Sequence, residues 1–516
     1  MRLIKNPMMS GFFPDPSICR VGEKYYMVHS TFTYFPGIPI FESKDFVNWE
    51  QIGNVLDRDS QIPLAGKEHS EGIFAPTIRY YDNKFYIITT NTHDKGNFIV
   101  TANDPAGPWS EPYYLGKDAR GIDPSLFFDE DGSCWYIGQR DKANSNYYGD
   151  CEIWIQRLNL QTMKLEGASI AVLDGFQKNA VWPEGPHLYH KGDYYYILHA
   201  ESGTAFHHCV MVARSRNIEG PYKYCKSNPI LTHRHLGMQY PITSVGHGDL
   251  VEDGYGNWYM AVLACRPQEG YTLLGRETFL AKVVWEHDWP VVNPGVGRLE
   301  EVVELPGSEI SVSSEECKTY TFDINTLPLE FLTLRNHRES ILSLTAHLGY
   351  VRLFMKADTL KDRAEPAYIC IRQQHKDFES EVMFEPCFGT ENGCAGMAMV
   401  QSNENHIRIE CFQDEKDTGF RVIKVVNGIE KELSRWNSNK TDEVIFKLSV
   451  YGLQADVWLK DKEQWMLFVH GIKLEELSAE LAGGFVGCTI GMYASGNGKE
   501  TGGYADFKWF TYQGLE

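Results

Sequence analysis

The sequence lacks the features that mark membrane-spanning, secreted and zinc-binding proteins. No apolar run approaches the roughly 18 residues that a membrane-spanning helix needs, and the opening MRLIKNP has no apolar stretch of a secretory signal. The 12 cysteines are scattered, without a Cys-x-x-Cys pair. We therefore expect a cytoplasmic protein with reduced thiols, although a chain from which a signal has been cleaved would look the same.

Positive charge is scarce, because 49 Lys and Arg stand against 69 Asp and Glu, a formal net charge of −20. This balance disfavours nucleic acid and anionic membrane surfaces and suits a neutral substrate, although solubility alone would also explain it. Aromatic residues are plentiful at 13%. They favour β-strands and can stack on sugar rings, although most are expected in the core. A chain of 516 residues exceeds one ordinary core, so we expect two domains.

A repeat runs through residues 1–304. Five segments combine one or two apolar residues, a turn and an aromatic-rich strand, and their equivalent positions lie 60, 48, 62 and 62 residues apart. Each unit has room for four strands, and helical periodicity is weak, so the repeat predicts a five-bladed β-propeller. A long β-sandwich is the alternative and explains the repeat less well. The segments begin Asp15-Pro16-Ser17-Ile18, Ala75-Pro76-Thr77-Ile78, Asp123-Pro124-Ser125-Leu126, Gly185-Pro186-His187-Leu188 and His247-Gly248-Asp249-Leu250.

The chain changes character after the repeat. Residues 305–318 are polar and turn-rich, which predicts a linker. Many short alternating runs follow in 319–516 and predict a β-sandwich domain. In 406–412 apolar and charged residues alternate, as in a strand with one face in water. The predicted strands are 350–358, 367–374, 379–386, 406–413, 420–428, 443–452, 455–460, 465–471 and 505–513.

Equivalent positions of a propeller meet at its axis, so Asp15, Asp123, Glu184 and His247 are predicted to converge. Three carboxylates in one site repel, and their pKa values must separate. One then becomes a proton donor and another a base, which is the chemistry of glycoside hydrolysis.

Each of these residues also has a structural interpretation. An Asp-Pro-Ser segment is common turn chemistry, which would explain Asp15 and Asp123. His247 could be a core histidine, and Arg276 could simply pair with Glu277. The rigid flanks of Glu184, namely Pro183 and Gly185, are harder to explain for a solvated side chain. The shared repeat position favours the catalytic interpretation for the set.

At these residues the sequence resembles glycoside hydrolase family 43, in its β-xylosidase and α-L-arabinofuranosidase group. Any one motif is weak, but the ordered set spans the whole repeat region. The matching segments are Gly11-Phe12-Phe13-Pro14-Asp15-Pro16-Ser17, Ser30-Thr31-Phe32, Gly72-Ile73-Phe74-Ala75-Pro76, Ile122-Asp123-Pro124-Ser125, Trp182-Pro183-Glu184-Gly185-Pro186, Val245-Gly246-His247, Leu274-Gly275-Arg276-Glu277-Thr278 and, near the C-terminus, Gly491-Met492-Tyr493-Ala494-Ser495.

The resemblance implies a role for each residue of the set. Asp15 would be the general base that activates water, Glu184 the general acid, and Asp123 the residue that holds Glu184 and raises its pKa. The reaction would invert configuration, with base and acid roughly 6.5–9.5 Å apart. Arg276 and His247 would line the sugar pocket. The phenylalanines at positions 32 and 74 would pack on the apolar face of the sugar.

The resemblance also implies an architecture and a substrate class. The second domain would be a jelly-roll, concanavalin-like sandwich that can send a loop towards the active site; Gly-rich 495–504 is the candidate, with an exposed turn as the alternative. A closed pocket would favour exo-acting removal of terminal xylose or arabinose from oligosaccharides. The alternatives are an endo-arabinanase, a retaining fructan-cleaving propeller and a non-catalytic carbohydrate-binding propeller. Relatives often form homodimers or homotetramers.

The sequence departs from the family pattern at three places. Phe74 stands where Trp is usual, which predicts weaker stacking; Gly248 replaces Ala, and Ser202 replaces Gly. These departures concern the choice of pentose rather than the reaction class. Some relatives hold calcium beside the equivalent of His247, but no cofactor is expected to be required here, because the sequence has no dense carboxylate loop.

Overall fold

The computed structural model describes residues 2–306, 317–335, 338–389, 392–439 and 442–515. Helix in this part of the chain is limited to two single turns, Arg338–Ile341 and Ala479–Ala482, and to three short 3₁₀ segments, Gly116–Asp118, Arg234–Leu236 and Glu475–Leu477. No described helix is long and apolar enough to cross a membrane.

The repeat folds as predicted into a propeller, since the described residues form five four-stranded antiparallel sheets. Each sheet is built from strands that follow one another in the chain, except that Tyr34–Phe35 lies between the second and third strands of blade I and pairs elsewhere. Blade I contains Ser17–Val21, Lys24–Val28, Gly37–Ser43 and Glu50–Leu56; blade II contains Thr77–Tyr81, Lys84–Asn91, Gly96–Ala102 and Tyr113–Tyr114; blade III contains Ser125–Phe128, Cys134–Asp141, Cys151–Asn159 and Lys164–Leu173; blade IV contains Glu184–Lys191, Tyr194–Glu201, Cys209–Ser215 and Lys223–Tyr224; blade V contains Thr243–Glu252, Trp258–Cys265, Glu277–Glu286 and Trp289–Val292.

The first strand of every blade contains all or part of its repeat motif, so the motifs lie where the blades meet. Apolar side chains from neighbouring sheets pack between the blades; Val28 and Ile87, for example, share one fully buried cluster of blades I and II. The two ends of this region also meet, because Arg2–Lys5 pairs antiparallel with Val302–Leu305.

The second domain is a sandwich of two sheets whose inner faces form one apolar core. In spatial order, the first sheet contains Leu342–Ser343, Val351–Phe354, Tyr504–Gly514, Phe378–Cys387, Val444–Tyr451, Gln454–Asp461 and Gln464–Lys473, with Lys318–Thr321 also paired to Tyr504–Gly514; the second contains Ile429–Asn437, Thr418–Val426, His406–Gln413, Gly393–Val400, Thr489–Ser495, Ala367–Arg372, Leu332–Leu334 and Tyr34–Phe35. Residues 307–316 of the predicted linker lie outside the described residues.

The nine predicted sandwich strands are present, but the pattern missed others. Gly393–Val400 and Thr489–Ser495 are buried at every position, so they show no alternation of apolar and polar residues. The predicted water-facing side of His406–Gln413 is wrong, because Arg408 and Glu410 are only 3% and 0% exposed. Glu410 accepts a hydrogen bond from Arg421 Nε at 2.7 Å and forms an ion pair with Arg408, which lets this charged face be buried.

The two domains share a sheet. Tyr34–Phe35, a two-residue strand from the propeller, pairs with Leu332–Leu334 of the sandwich, with Leu334 opposite Tyr34. At a second contact the backbones of the two domains approach so closely that a Cβ on Gly275 would lie 2.8 Å from the backbone nitrogen of Gly487. The sandwich is therefore held against the face of the propeller that carries the repeat motifs.

Candidate active site

A cavity of about 250 Å³ opens where the five blades and the sandwich meet. This volume is slightly below the roughly 300–1,000 Å³ of typical drug-sized sites, which suits a single small ring. All seven predicted site residues line it. The lining residues are Asp15, Phe32, Phe74, Ala75, Ile122, Asp123, Tyr148, Trp182, Glu184, Gly203, Thr204, His208, His247, Arg276 and Phe485.

Four repeat-equivalent positions share an unusual backbone conformation. Asp15, Asp123, Gly185 and His247 have φ of 52°, 52°, 58° and 50°. The left-handed region is unfavourable for residues with a Cβ, so three non-glycine residues adopt it at a cost of order 1–2 kcal/mol each. Four of the five blades therefore turn the chain in the same way, at or just before the inner strand, whereas Ala75 of blade II does not share this conformation.

Asp15 is buried and bound on both oxygens. Arg276 Nη1 donates to Oδ1 at 2.8 Å, and Ser30 Oγ donates to Oδ2 at 2.6 Å. Burial alone would raise the pKa of Asp15, but Arg276, His247 and the Ser30 hydrogen bond together hold that pKa below its ordinary value. These partners stabilise an ionised Asp15, in contrast to the turn-capping interpretation.

Glu184 has the opposite electrostatic environment. Burial and the negative charges of Asp123 and Asp15 raise the pKa of Glu184 well above its ordinary value, and Arg276 offsets only part of this. At a pH between the two pKa values, Glu184 is protonated while Asp15, lining the same cavity, is ionised. This separation of two carboxyl groups is the one that acid–base catalysis needs.

Asp123 is linked directly to the backbone beside Glu184. Its Oδ2 accepts a hydrogen bond from the Gly185 amide at 3.0 Å, which fixes the chain at the point where Glu184 projects. Burial raises the pKa of Asp123 to about 6, with His247 opposing and Asp15 adding to the effect.

His247 stands between two of the carboxylates. Its Nδ1 lies 3.9 Å from Asp15 Oδ1 and 4.0 Å from Asp123 Oδ2, so it interacts with both electrostatically without a hydrogen bond to either. The ring packs against Gly185, where a Cβ would approach it to 2.9 Å. A larger residue at position 185 would therefore displace His247.

Arg276 binds a different partner from the alternative considered for it. Glu277 pairs with Arg266, at 2.7 Å from Nε, while Arg276 turns to Asp15 and to Thr204 Oγ1 at 3.1 Å. Arg276 therefore forms an ion pair with the Asp15 carboxylate and also lines the cavity.

One wall of the cavity is apolar and includes a residue from the sandwich. The ring of Phe485 is stacked on Phe32 at 6.0 Å and meets Phe74 edge-on, also at 6.0 Å. The loop at 495–504, in contrast, contributes no residue to the lining among those described. It turns back within the sandwich, where Gly496 donates to the Lys356 carbonyl at 2.6 Å. The sandwich therefore reaches the site, but through the segment around Phe485.

Sequence reasoning named seven of the fifteen lining residues as site residues and missed the other eight, which are Ala75, Ile122, Tyr148, Trp182, Gly203, Thr204, His208 and Phe485. Trp182 lies two positions before Glu184 and has the ring of Tyr148 edge-on at 5.4 Å, so its place in the motif was an available signal. Thr204 lies in a segment already noted for Ser202. His208 and Phe485 lie in segments with no recognisable pattern, and only the fold brings them to the cavity.

His208 presents an acceptor to this site. Its Nδ1 lies 3.2 Å from the carbonyl oxygen of Ser244, which can only accept, so Nδ1 carries the proton. Burial lowers the pKa of His208 to about 3, which keeps the ring neutral near pH 7. Its Nε2 is buried without a hydrogen-bond partner among the described residues.

The buried carboxylate nearest to His247 in sequence does not suit a calcium ion. This carboxylate belongs to Asp249, which already accepts hydrogen bonds from Arg79 at 2.9 and 3.2 Å and from Tyr189 at 2.5 Å. Calcium requires six to eight oxygen ligands, and no cluster of His, Cys, Asp and Glu suited to a metal occurs among the described residues. A calcium ion would have to compete with the Arg79 guanidinium for the oxygens of Asp249.

All twelve cysteines are free thiols, ten of them buried.

Comparisons with known proteins match both domains. Residues 4–290 match the model of Glycosyl hydrolases family 43, and residues 319–513 match the model of the Beta xylosidase C-terminal Concanavalin A-like domain. A xylosidase/arabinosidase of Butyrivibrio fibrisolvens is 48% identical over 517 residues, covering 99% of this chain and 100% of that protein. A non-reducing end alpha-L-arabinofuranosidase of Bacteroides ovatus is 36% identical over 534 residues, covering 100% and 96%. The crystal structure of a xylan beta-1,4-xylosidase from Bacillus halodurans has a TM-score of 0.92 at 31% identity, covering 99% and 100% of the two chains.

Proposed function

Because this chain belongs to family 43 of the glycosyl hydrolases and is a glycoside hydrolase, we propose that it removes terminal xylose or arabinose from short oligosaccharides with inversion of configuration. The names of its relatives, which include both xylosidases and arabinofuranosidases, support this pair of sugars. The observation that carries the proposal is that Asp15 and Glu184 line one cavity in surroundings that shift their pKa values in opposite directions, downward for Asp15 and upward for Glu184.

In the proposed mechanism Asp15 is the general base. Held ionised by Arg276 and Ser30, it takes a proton from a water molecule that attacks the anomeric carbon. Glu184 donates its proton to the leaving oxygen from the opposite side of the sugar. Attack and departure on opposite faces invert the anomeric configuration. Asp123 acts through position and charge, because it holds the Gly185 amide and raises the pKa of Glu184.

The shape of the cavity supports exo action. Phe485 and the two phenylalanines on the propeller side form an apolar wall on one side of a small pocket, whereas an endo-acting enzyme needs a long cleft that is open at both ends. Arg276 and His247 are proposed to contact the bound pentose from the polar side, with Phe32 and Phe74 against its apolar face.

We further propose that the reaction needs no metal, since Asp249 is already saturated by protein donors. The cytoplasm remains the predicted compartment, where imported oligosaccharides of a few units would be the substrates. A homodimer or homotetramer remains the predicted assembly.

The decisive experiment compares Glu184→Gln and Asp15→Asn on p-nitrophenyl β-D-xyloside and p-nitrophenyl α-L-arabinofuranoside. Each substitution is expected to lower kcat about 10²–10⁴-fold, while the half-buried control Glu152→Gln, whose partner is Arg140, leaves it unchanged. A general acid matters less when the leaving group is already stable. The loss in Glu184→Gln should therefore shrink with more acidic phenols, and the loss in Asp15→Asn should not.

Two results would contradict the proposal. If the unmodified protein cleaves neither substrate, the choice of sugar is wrong. If proton NMR shows β-xylose as the first product from the β-xyloside, the reaction retains configuration and Asp15 is not the base. Rates on the two substrates measured side by side decide which pentose is preferred.

A further inference from the structure

A second polar layer lies on the propeller axis directly beneath the active site. It consists of the residues two positions after the repeat-equivalent ones, one from each blade. All five are polar, and none is more than 3% exposed. They are Ser17, Thr77, Ser125, His187 and Asp249.

Asp249 is the anionic member of this layer and binds three other blades to its own. Its Oδ2 accepts from Ser17 Oγ at 2.7 Å and from the Ile18 amide at 3.1 Å, both in blade I. Arg79 of blade II donates to both oxygens, and Tyr189 of blade IV donates to Oδ1. Asp249 itself belongs to blade V, so four blades meet at one carboxylate.

His187 of blade IV carries the connection to the remaining blade. Its Nδ1 lies 3.0 Å from Arg79 Nη2 and 3.1 Å from Ser125 Oγ of blade III. Arg79 and Asp249, extended by His187, therefore join all five inner strands, which belong to five different sheets.

The connected residues stand close in sequence to the catalytic ones. Ser17 is two residues from Asp15, Ser125 is two from Asp123, and His187 is three from Glu184. Neither Arg79 nor Asp249 lines the cavity, so the pair does not contact the reacting sugar.

We propose that Arg79 and Asp249 are positioning residues that set the spacing of Asp15, Asp123 and Glu184 from beneath the site. Within a blade, backbone hydrogen bonds fix each strand against the next. The axial pair supplies polar cross-links among the inner strands of different blades. A displacement of about 1 Å between catalytic groups can cost about 10²-fold in rate, so this link affects kcat without touching substrate. The inference rests on the roles proposed above for Asp15 and Glu184.

The first test is Asp249→Asn, with Glu410→Gln as its matched control. Both carboxylates are fully buried and held by arginine, but Glu410 lies in the sandwich. Both variants are expected to lower Tm. Only Asp249→Asn is expected to lower kcat, by about tenfold or more, with KM within about threefold of the unmodified enzyme, because the sugar contacts are unchanged.

A milder pair of variants decides the question if Asp249→Asn does not fold. Tyr189→Phe removes the hydroxyl that binds Asp249 and keeps the ring, and it is expected to lower kcat about threefold or more. Tyr195→Phe is the control in the same blade, since its hydroxyl binds Asp129 away from the axis at 3.0 Å. It should leave kcat unchanged.

The outcomes separate this inference from the proposed function. If the unmodified enzyme has no glycosidase activity, the proposed function fails. If it is active, and the folded axial variants keep full kcat or change only KM, the positioning role is overturned and the proposed function stands. A fall in kcat of the same size in Glu410→Gln would also overturn it, because the effect would then be general destabilisation.

Discussion

Arg276 reaches Asp15 from the far end of the propeller repeat and donates Nη1 to Oδ1 at 2.8 Å and Nη2 to Oδ2 at 3.4 Å. The two residues are 261 positions apart, and the fold places a cation against the carboxylate that we propose as the general base. A buried pair of this kind is costly to break from one side, because the remaining charge is left without compensation.

Replacing Arg276 by Met should therefore move the acid limb of the kcat/KM profile. The pKa of Asp15 is held down by Arg276, so without the guanidinium it rises, and activity is lost at a higher pH as the solution is acidified. An opposite charge at this distance is worth about 1–3 pH units. The measurement is the pH dependence of kcat/KM. Arg266→Met, which removes the neighbouring arginine bound to Glu277, should leave that limb in place; equal shifts in both variants would refute the explanation.

Asp123→Asn should move the alkaline limb in the acid direction. The negative charge of Asp123 raises the pKa of Glu184, so its removal lowers that pKa, and Glu184 loses its catalytic proton at a lower pH. The asparagine still offers an oxygen to the Gly185 amide. The pH profile of kcat gives the result. Asp253→Asn, which alters a turn at the outer end of the blade V hairpin, is the control and should show an unchanged alkaline limb.

Phe485→Ala should open the pocket. The ring packs against Phe32 and Phe74 and is 40% exposed, so its loss removes apolar contact area worth about 1–3 kcal/mol. KM for an aryl pentoside should rise about tenfold, with a smaller change in kcat. Leu481→Ala, at a 53% exposed position of the same segment outside the lining, should change neither constant. An unchanged KM in Phe485→Ala would show that this wall does not contact substrate.

Removal of divalent cations should leave the enzyme unchanged. Asp249 is saturated by protein donors and the axis carries the Arg79 guanidinium, so EDTA followed by gel filtration is expected to preserve both kcat and Tm. Added calcium is expected to have no effect. Loss of activity on chelation, restored by calcium, would place a metal at this site and contradict the proposed metal independence.

Much of the fold followed from periodicity. The strand–turn–strand units predicted the five blades, because the same unit recurs five times at similar spacings along the chain. The same logic failed where burial is complete on both faces: Gly393–Val400 was not recognised as a strand. It also misjudged Arg408 and Glu410, because a charged residue in a strand ordinarily faces water and ion pairing with another strand cannot be read from local sequence.

The residues of the candidate site were likewise predicted only in part from the sequence. Asp15, Asp123 and His247 were found because the repeat makes them equivalent, and Glu184 because it precedes the equivalent Gly185; such positions of a propeller converge. The candidate for the segment that reaches the site from the sandwich was 495–504, with an exposed turn as the alternative, and the segment that lines the cavity is the one around Phe485. Glycine content indicates where a chain can turn, but it does not tell which domain surface the turn will contact.

By itself, the sequence determined the propeller, the sandwich and the three carboxylates, because these depend on local pattern and on a repeat that can be counted. Only the tertiary structure decided that Arg276 binds Asp15 rather than its neighbour, that Phe485 lines the pocket, and that Arg79 and Asp249 join the blades at the axis. The physical reason is that charge pairing and the lining of a pocket depend on distances between segments hundreds of residues apart. Those distances are set by how sheets pack, and no local pattern encodes them.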